Sequence, residues 1–200
     1  MQWGSTVTGK RRLGVALALV LGIGMVGLGL FGGVGRDRHT QLGGLSFDHP
    51  GDWTVTAADV PLHYETVLGF LTSPGASARE SCGPDYVPGG GGDCAETSTV
   101  PTGSAVLRLS RWDGPPVIKG PIADLVDAGW QSMTIAGQPA AYMDHSGRMA
   151  GHNVEWRIAA GGADSLASYG IVATINGPPA GLRAQIDAML GTLKIAPQGP

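Results

Sequence analysis

HNVEWRIAA at residues 152–160 and SYGIVATI at residues 168–175 decide the fold class of this chain. In the first stretch Val154, Trp156 and Ile158 alternate with polar or charged neighbours, the period-two pattern of a strand with one buried face. The second stretch is apolar on both faces, which is typical of a central strand that is covered on both sides. These two neighbouring strands predict that a sheet forms the centre of the domain.

Other segments extend this sheet and add helices to it. The patterns predict strands at 66–73 and 104–112 and a β-hairpin over 45–55 that turns at Pro50 and Gly51. A first helix follows Pro121, and a closing helix follows Pro178 and Pro179. Apolar residues recur at helical spacing in the closing helix: Leu182, Ile186, Met189, Leu190 and Leu193. The order of elements predicts an α+β domain over residues 45–200, a mostly antiparallel sheet flanked by helices.

The N-terminal part predicts a location. Residues 13–34 contain no charged side chain, and at about 1.5 Å per residue they are long enough to cross a bilayer as a transmembrane helix. Basic residues precede this helix, so residues 1–12 are expected in the cytoplasm. Residues 35–44 then form a linker, and the domain lies outside the cell. A cleaved secretory signal is the alternative, and it also exports the domain.

Gly14, Ala18 and Gly22 are four positions apart in the predicted transmembrane helix, and Gly29 and Gly33 repeat the spacing. Small residues at this interval let two helices approach closely and allow self-association. The simpler interpretation is that glycine is common in membrane helices.

The charge of the chain is divided unevenly. Its 200 residues have a formal net charge of −3, but residues 1–44 carry five basic side chains and one acidic one. The remaining 156 residues are therefore acidic, with a balance of −7. An acidic exported domain is a poor candidate for binding nucleic acid or anionic lipid headgroups.

The two cysteines of the chain, Cys82 and Cys94, enclose GPDYVPGGGGD. A zinc site and a redox pair are the alternatives to a disulfide, but no C-x-x-C pair or neighbouring histidine pair is present. Outside the cytoplasm such thiols oxidise, so we expect a structural disulfide worth roughly 3 kcal/mol. It closes a long loop at 74–103, which is either a tolerated surface insertion or a recognition loop with Tyr86 as its aromatic anchor.

Signatures of catalysis are missing from the sequence, including G-x-S-x-G, H-E-x-x-H, S-x-x-K and the P-loop. Four residues around a predicted hairpin turn have side chains that suit copper(I): Met143, His145, Met149 and His152. The simpler interpretation is a polar hairpin tip, so no metal site is predicted. Asp59, His63 and Glu65 are candidates for a hard metal or for acid–base chemistry, and more simply are loop residues.

Three packing motifs give the chain a resemblance to a known family. They are F-x-x-P-x-x-W (Phe47, Pro50, Trp53), Ile135-x-Gly137-x-Pro139-Ala140, and the closing Ile186-x-x-Met189-Leu190-x-x-Leu193. Together they resemble the PsbP-like superfamily, in particular the LpqN-type exported domains of bacterial cell envelopes, over about residues 45–196. Several relatives are lipoproteins, whereas this chain has no cysteine before Cys82. The resemblance implies a binding or assembly factor, without catalytic residues that can be carried over.

The sequence therefore predicts a single-pass membrane protein of the bacterial cell envelope that has no enzymatic activity and no cofactor. Its domain outside the cell binds an unknown protein or envelope ligand. The alternatives are a small exported hydrolase or metal-handling protein that uses His145 and its neighbours, and a purely structural envelope subunit.

Overall fold

The computed structural model of the protein describes residues 36–89, 93–112, 121–145, 152–160 and 168–196. Its strands are β1 (Arg38–Leu42), β2 (Leu45–His49), β3 (Thr54–Pro61), β4 (Glu65–Thr72), β5 (Ser77–Cys82), β6 (Cys94–Thr99), β7 (Ser104–Trp112), β8 (Gln131–Ile135), β9 (Gln138–Asp144), β10 (His152–Ile158), β11 (Tyr169–Asn176) and β12 (Lys194–Ile195). Its helices are α1 (Ile122–Asp127) and α2 (Pro179–Thr192).

The strands form three antiparallel sheets. The large sheet has seven strands in the order β3-β4-β7-β11-β10-β9-β8. A small sheet has the order β1-β2-β12, and β5 and β6 pair with each other as a hairpin. The two stretches that decided the fold class, β10 and β11, are therefore neighbours in the middle of the large sheet.

One face of the large sheet is sealed by the main core, and we call it the inner face. Val154, Trp156 and Ile158 on β10 are fully buried in this core. α2 supplies Ile186 and Met189 to the same core and packs against β11 and β2. The apolar stripe of α2 thus joins the small sheet to the inner face of the large one, as its helical spacing requires.

The opposite, outer face carries two smaller apolar clusters. The β5–β6 hairpin covers Val67, Phe70 and Val106 on β4 and β7. α1 covers Ala141 and Ala159 near the other side of the sheet. The central strands β7, β11 and β10 run between these two covers.

The predicted α+β class is wrong, because strands dominate the described part of the chain and its helices are only α1, with six residues, and α2, with 14. Two regions predicted as irregular contain strands instead. Residues 38–42 of the predicted linker form β1, and the predicted loop at 74–103 contains β5 and β6. The predicted first helix ends early, since Gly129 adopts a positive φ of 95° just beyond it.

The predicted hairpin over residues 45–55 is also wrong. Its two strands belong to different sheets: β2 pairs with β1 and β12, whereas β3 pairs with β4. The turn at Pro50 is real, because the Trp53 amide donates to the Pro50 carbonyl at 3.0 Å. It redirects the chain from the small sheet to the large one.

Within the described residues, no helix is long and apolar enough to cross a membrane. The predicted transmembrane helix at 13–34, with its small-residue spacing, lies outside the described residues.

The turn between β8 and β9 holds a strained alanine. Ala136 and Gly137 have φ values of 54° and 72°, the type I′ arrangement of a two-residue hairpin. A left-handed conformation costs a residue with a Cβ about 1–2 kcal/mol. We expect Ala136→Gly to raise the free energy of unfolding by about 0.5–1 kcal/mol in urea denaturation. A loss of stability would show that the Ala136 methyl group, which packs against the main core, contributes more than the strain costs.

Candidate functional site

The outer face of the central strands is polar and only partly covered. Ile171, Ala173 and Ile175 of β11 point to the inner face and are fully buried, whereas Val172 and Thr174 on the outer face are half-buried. The sequence predicted a strand covered on both sides, but the outer cover is incomplete at these positions. The side chains around Val172 and Thr174 therefore determine the character of this face.

Three rows of side chains cross this face, and the register of β7, β11 and β10 defines them. They are Ser110–Gly170–Arg157, Arg108–Val172–Glu155 and Val106–Thr174–Asn153. The Thr174 hydroxyl donates to the Asn153 amide oxygen at 2.8 Å. We call the charged and polar groups of these rows, with the carboxylates that contact them, the polar rows.

Arg157 is the most deeply buried charge of the polar rows, at 7% exposed. Its guanidinium forms an ion pair with Glu155 and lies over the Trp112 ring, 4.8 Å from the centroid. Gly170 faces it directly, and a Cβ at that position would overlap the guanidinium. Burial lowers the pKa of Arg157 to about 10. The negative charge of Glu65 acts to raise this pKa, and the positive charge of Arg108 acts to lower it. Arg157 is therefore charged at neutral pH.

Arg108 links the sheet to the β5–β6 hairpin. Its guanidinium donates to both carboxylate oxygens of Glu65, at 2.7 and 3.4 Å, a two-pronged geometry that is stronger than a single contact. Its Nε lies 3.7 Å from Glu96 on β6. Arg108 therefore joins carboxylates on β4 and β6 and holds the hairpin on the sheet.

Glu80 is the unfavourable carboxylate of this group. Its Oε2 is shielded from solvent, and Glu80 faces Glu96 directly in the β5–β6 pairing. Burial raises the pKa of Glu80 above its ordinary value of 4.5, Arg108 opposes this, and Glu96 and Glu65 add to it. Two like charges directly opposite each other destabilise a strand pair.

The raised pKa of Glu80 predicts that Glu80→Gln increases the free energy of unfolding by an amount that depends on pH. The folded state binds the proton of Glu80 more tightly than the unfolded state, so stability is lost as the pH rises through the interval above 4.5. Glutamine has no charge to bury. We expect Glu80→Gln to unfold at a higher denaturant concentration than the parent at pH 7, with the difference shrinking towards pH 4. A difference that stays constant with pH would contradict this origin.

The residues considered for copper(I) do not converge in the part of the chain that is described. His145 Nε2 lies 3.3 Å from a Glu155 oxygen, and His152 Nε2 lies 3.1 Å from Asp144. Met143 faces Glu155 across the β9–β10 pairing, and Met149 lies outside the described residues. Among described residues, no group of three or more His, Cys, Asp or Glu side chains is arranged to hold a metal.

The other three candidate residues are separated by structure as well. Asp59 adopts a positive φ of 50° at the bulge of β3. The His63 ring packs edge-on against the Tyr64 ring, with the two ring centroids 3.9 Å apart. Glu65 forms the ion pair with Arg108. The structure thus gives His63 and Glu65 local contacts and places Asp59 at the bulge.

The predicted disulfide between Cys82 and Cys94 is confirmed. The two cysteines face each other at the end of the β5–β6 hairpin, where the bridge closes the connection between the strands. The Gly83 amide donates to the Asp93 carbonyl at 2.8 Å just beyond it.

Tyr86 fastens the bridged connection to the large sheet. Its hydroxyl donates to the Pro61 carbonyl at 2.5 Å, and the Gly89 amide donates to the same oxygen at 3.0 Å. The side chain proposed as a recognition anchor is therefore used within the domain. Whether this region recognises a partner stays a prediction.

The exposed apolar residues lie beside this attachment. Among the described residues, the exposed large hydrophobic side chains are Tyr64, at 37%, and Val87, at 59%. Tyr64 is in the β3–β4 turn, three residues after Pro61, and Val87 lies between the two residues bonded to the Pro61 carbonyl. We call Pro61, Leu62, Tyr64, Val87 and Pro88 the loop-end patch.

Exposed acidic residues lie within a few positions of the loop-end patch along the chain. They are Asp59, Asp85 and Asp93. Residues 59–65 and 83–89 contain no lysine or arginine. The two segments that carry the patch are therefore acidic. Sequence reasoning identified the loop but missed Tyr64 and Val87, because exposure within a turn or a loop depends on tertiary contacts that a short sequence pattern does not show.

Comparisons with known proteins leave the family open. No protein-family model and no curated protein matches this chain. A solved structure from Bacteroides thetaiotaomicron VPI-5482 resembles it at 11% identity and a TM-score of 0.41, over 78% of this chain. This chain spans only 47% of that structure's length. A similarity this low supports no conclusion on fold or function, and the PsbP-like resemblance stays a prediction.

Proposed function

We propose that this chain is a non-enzymatic binding or assembly module of the bacterial cell envelope, exported to the outer side of the cell membrane and held there through its apolar segment at 13–34. Its partner is a protein that contacts the loop-end patch. The Cys82–Cys94 disulfide supports an oxidising location. The single observation that carries the binding role is the placement of Tyr64 and Val87 on two segments joined at Pro61.

The attachment at Pro61 favours binding for an energetic reason. Ordering a loop upon association costs free energy, and a loop that is already held retains more of its contact energy. The disulfide and the two hydrogen bonds to the Pro61 carbonyl hold Val87 near the β3–β4 turn. Tyrosine is also among the residues that most often dominate binding energy at protein interfaces.

The acidic residues near the patch define the partner's chemistry. Three exposed carboxylates on the segments that carry these apolar residues complement a surface with apolar side chains flanked by lysine or arginine. Salt should therefore slow the association, because it screens exposed charges over about 8–10 Å.

Photocrosslinking in the producing bacterium tests the binding role. A benzophenone amino acid placed at Val87 in the full chain is expected to give an adduct of discrete mass. The same group at Thr97, which is exposed on β6 away from the patch, is the matched control. Tyr64→Ala should reduce the Val87 adduct, since tyrosine is among the residues whose truncation most often costs more than about 1 kcal/mol at an interface. Equal adducts at both positions, or none, would argue against this surface.

The absence of enzymatic activity has its own test. Ester, peptide and glycoside substrates are expected to give background rates with the purified chain, and these rates should be the same for His145→Ala and His63→Ala. Turnover that disappears with either substitution would replace the binding role by catalysis.

A further inference from the structure

The two edges of the large sheet are protected very differently. β3 at one edge has a bulge between Ala57 and Val60, Asp59 in a left-handed conformation and Pro61 at its end. Bulges, charges and proline are the usual devices that keep an edge strand from pairing with another chain. β8 at the other edge reads QSMTI and contains no charge, no proline and no register shift.

The other described edge strands also carry charge. Arg38 lies on β1, Lys194 on β12, and both strands of the β5–β6 hairpin contain glutamate. β8 is thus the uncharged edge among the strands that the structure describes, and no described strand pairs with its outer side.

The hairpin turn determines which backbone groups of β8 point outwards. Ile135 and Gln138 close the two-residue type I′ turn and exchange hydrogen bonds, as the closing pair of such a turn does. Because bonded and non-bonded pairs alternate, Met133 and Gln131 also bond to β9. The N–H and C=O groups of Ser132 and Thr134 therefore point away from the sheet.

We propose that β8 pairs antiparallel with β8 of a second copy of this chain, about a two-fold axis at Met133. Ser132 of each copy then faces Thr134 of the other, and the two pairs exchange four backbone hydrogen bonds. Met133 faces Met133 of the second copy in a non-bonded pair. A self-pairing strand places its own residues opposite each other, so a charged strand would repel its copy, whereas QSMTI contains no charge.

The side chains fit the same register. Ile135 and Met133 belong to the inner face and the main core, while Ser132 and Thr134 are exposed on the outer face. Pairing therefore continues the inner apolar face from one copy into the next and places small hydroxyl side chains together on the outer face. The result is a sheet of 14 strands with β3 at both ends, since each copy contributes seven.

A cysteine at the two-fold axis tests this register. In a non-bonded antiparallel pair the Cα atoms are about 4.5 Å apart, within the range that a disulfide spans. Met133→Cys in the full chain, in its native membranes, should form a homodimer upon oxidation with diamide. Thr56→Cys on β3 is the matched control, because Thr56 is exposed at the protected edge. Its yield of homodimer should be at least tenfold lower than that of Met133→Cys. The native cysteines are already bridged to each other.

Two further variants separate this pairing from association through another part of the chain. Ser132→Lys with Thr134→Lys places lysines opposite each other and should lower the Met133→Cys homodimer at least tenfold. Thr134→Pro removes an outward N–H without altering the bonds to β9, and should weaken dimerisation of the detergent-solubilised chain at least tenfold in sedimentation equilibrium. A homodimer that persists in these variants, a yield equal to that of Thr56→Cys, no homodimer, or an adduct with a different protein would each overturn the proposal.

Discussion

Arg157→Ala is expected to lower the free energy of unfolding by about 3–5 kcal/mol, the usual cost of removing one member of a buried ion pair. Arg157 is 7% exposed, so its loss leaves the Glu155 carboxylate, among the described residues, with His145 at 3.3 Å as its remaining ion-pair partner. It also empties the space between Trp112 and Gly170. Urea denaturation should show a lower midpoint with an unchanged slope.

Arg183→Ala is the matched control for this prediction. Arg183 on α2 pairs with Asp187 at 2.9 Å and lies over the Trp156 ring, but its side chain is 26% exposed and its partner 52%. Its removal should cost about 1 kcal/mol or less. Replacing both buried partners, Arg157→Met with Glu155→Met, should cost less than Arg157→Ala alone, because no unpaired carboxylate remains. If Arg157→Ala cost no more than Arg183→Ala, the buried pair would not be a main support of the sheet.

Gly69→Ala is the second large effect that we expect, a loss of about 2–3 kcal/mol. A Cβ at Gly69 would overlap the carbonyl oxygen of Thr56 and lie 3.2 Å from the Cα of Ala57. These neighbours are backbone atoms of the paired strand β3, so no side chain can rotate away. Relief requires β3 to move at its bulge, which follows Ala57. Thermal unfolding should show a lower midpoint for this variant.

Gly181→Ala is the control, and it should change the stability of the chain in the opposite direction. Gly181 lies exposed on α2, and a Cβ there would meet nothing within 4 Å. Alanine should stabilise the helix by about 0.5–1 kcal/mol, since glycine loses more backbone entropy when it folds. If Gly69→Ala were as stable as the parent chain, β3 would be free to shift relative to β4.

Local patterns predicted the elements that have a strong period and a buried face. Val154, Trp156 and Ile158 alternate because β10 has one sealed face, and the closing helix keeps its stripe because it packs on that face. The patterns failed where polar strands gain stability mainly from their partner. β5 and β6 consist largely of serine, threonine and charged residues, and their register and the disulfide hold them together.

Distant pairing explains the failed hairpin over residues 45–55. Ile195 faces Leu45 in the β12–β2 pairing, so the C-terminal end of the chain places β2 in the small sheet. A period of two shows that β2 and β3 are strands, but it contains no information on which sheet each joins. Neighbours along the chain were therefore assigned to each other.

The candidate site was also predicted only in part from the sequence. The spacing of Cys82 and Cys94 and the export prediction together indicated the disulfide, which is confirmed. Tyr86 was the apparent anchor because it is the one aromatic residue between the cysteines. Its hydroxyl instead binds Pro61, whereas Val87 and Tyr64 are the exposed apolar side chains of this region.

The sequence by itself determined the central strands, the closing helix, the disulfide and the acidic balance of the domain. The strands and the helix depend on spacing within a short stretch, the charge balance on residue type, and the disulfide on the two cysteines and the predicted export. Only the tertiary structure decided the mainly β class, the burial of Arg157 against Trp112, the exposure of the loop-end patch and the outward groups of β8. These features arise where strands far apart in the chain meet. At such places the pairing of two strands determines which side chains are buried and which groups form hydrogen bonds. The sequence of one strand does not determine either.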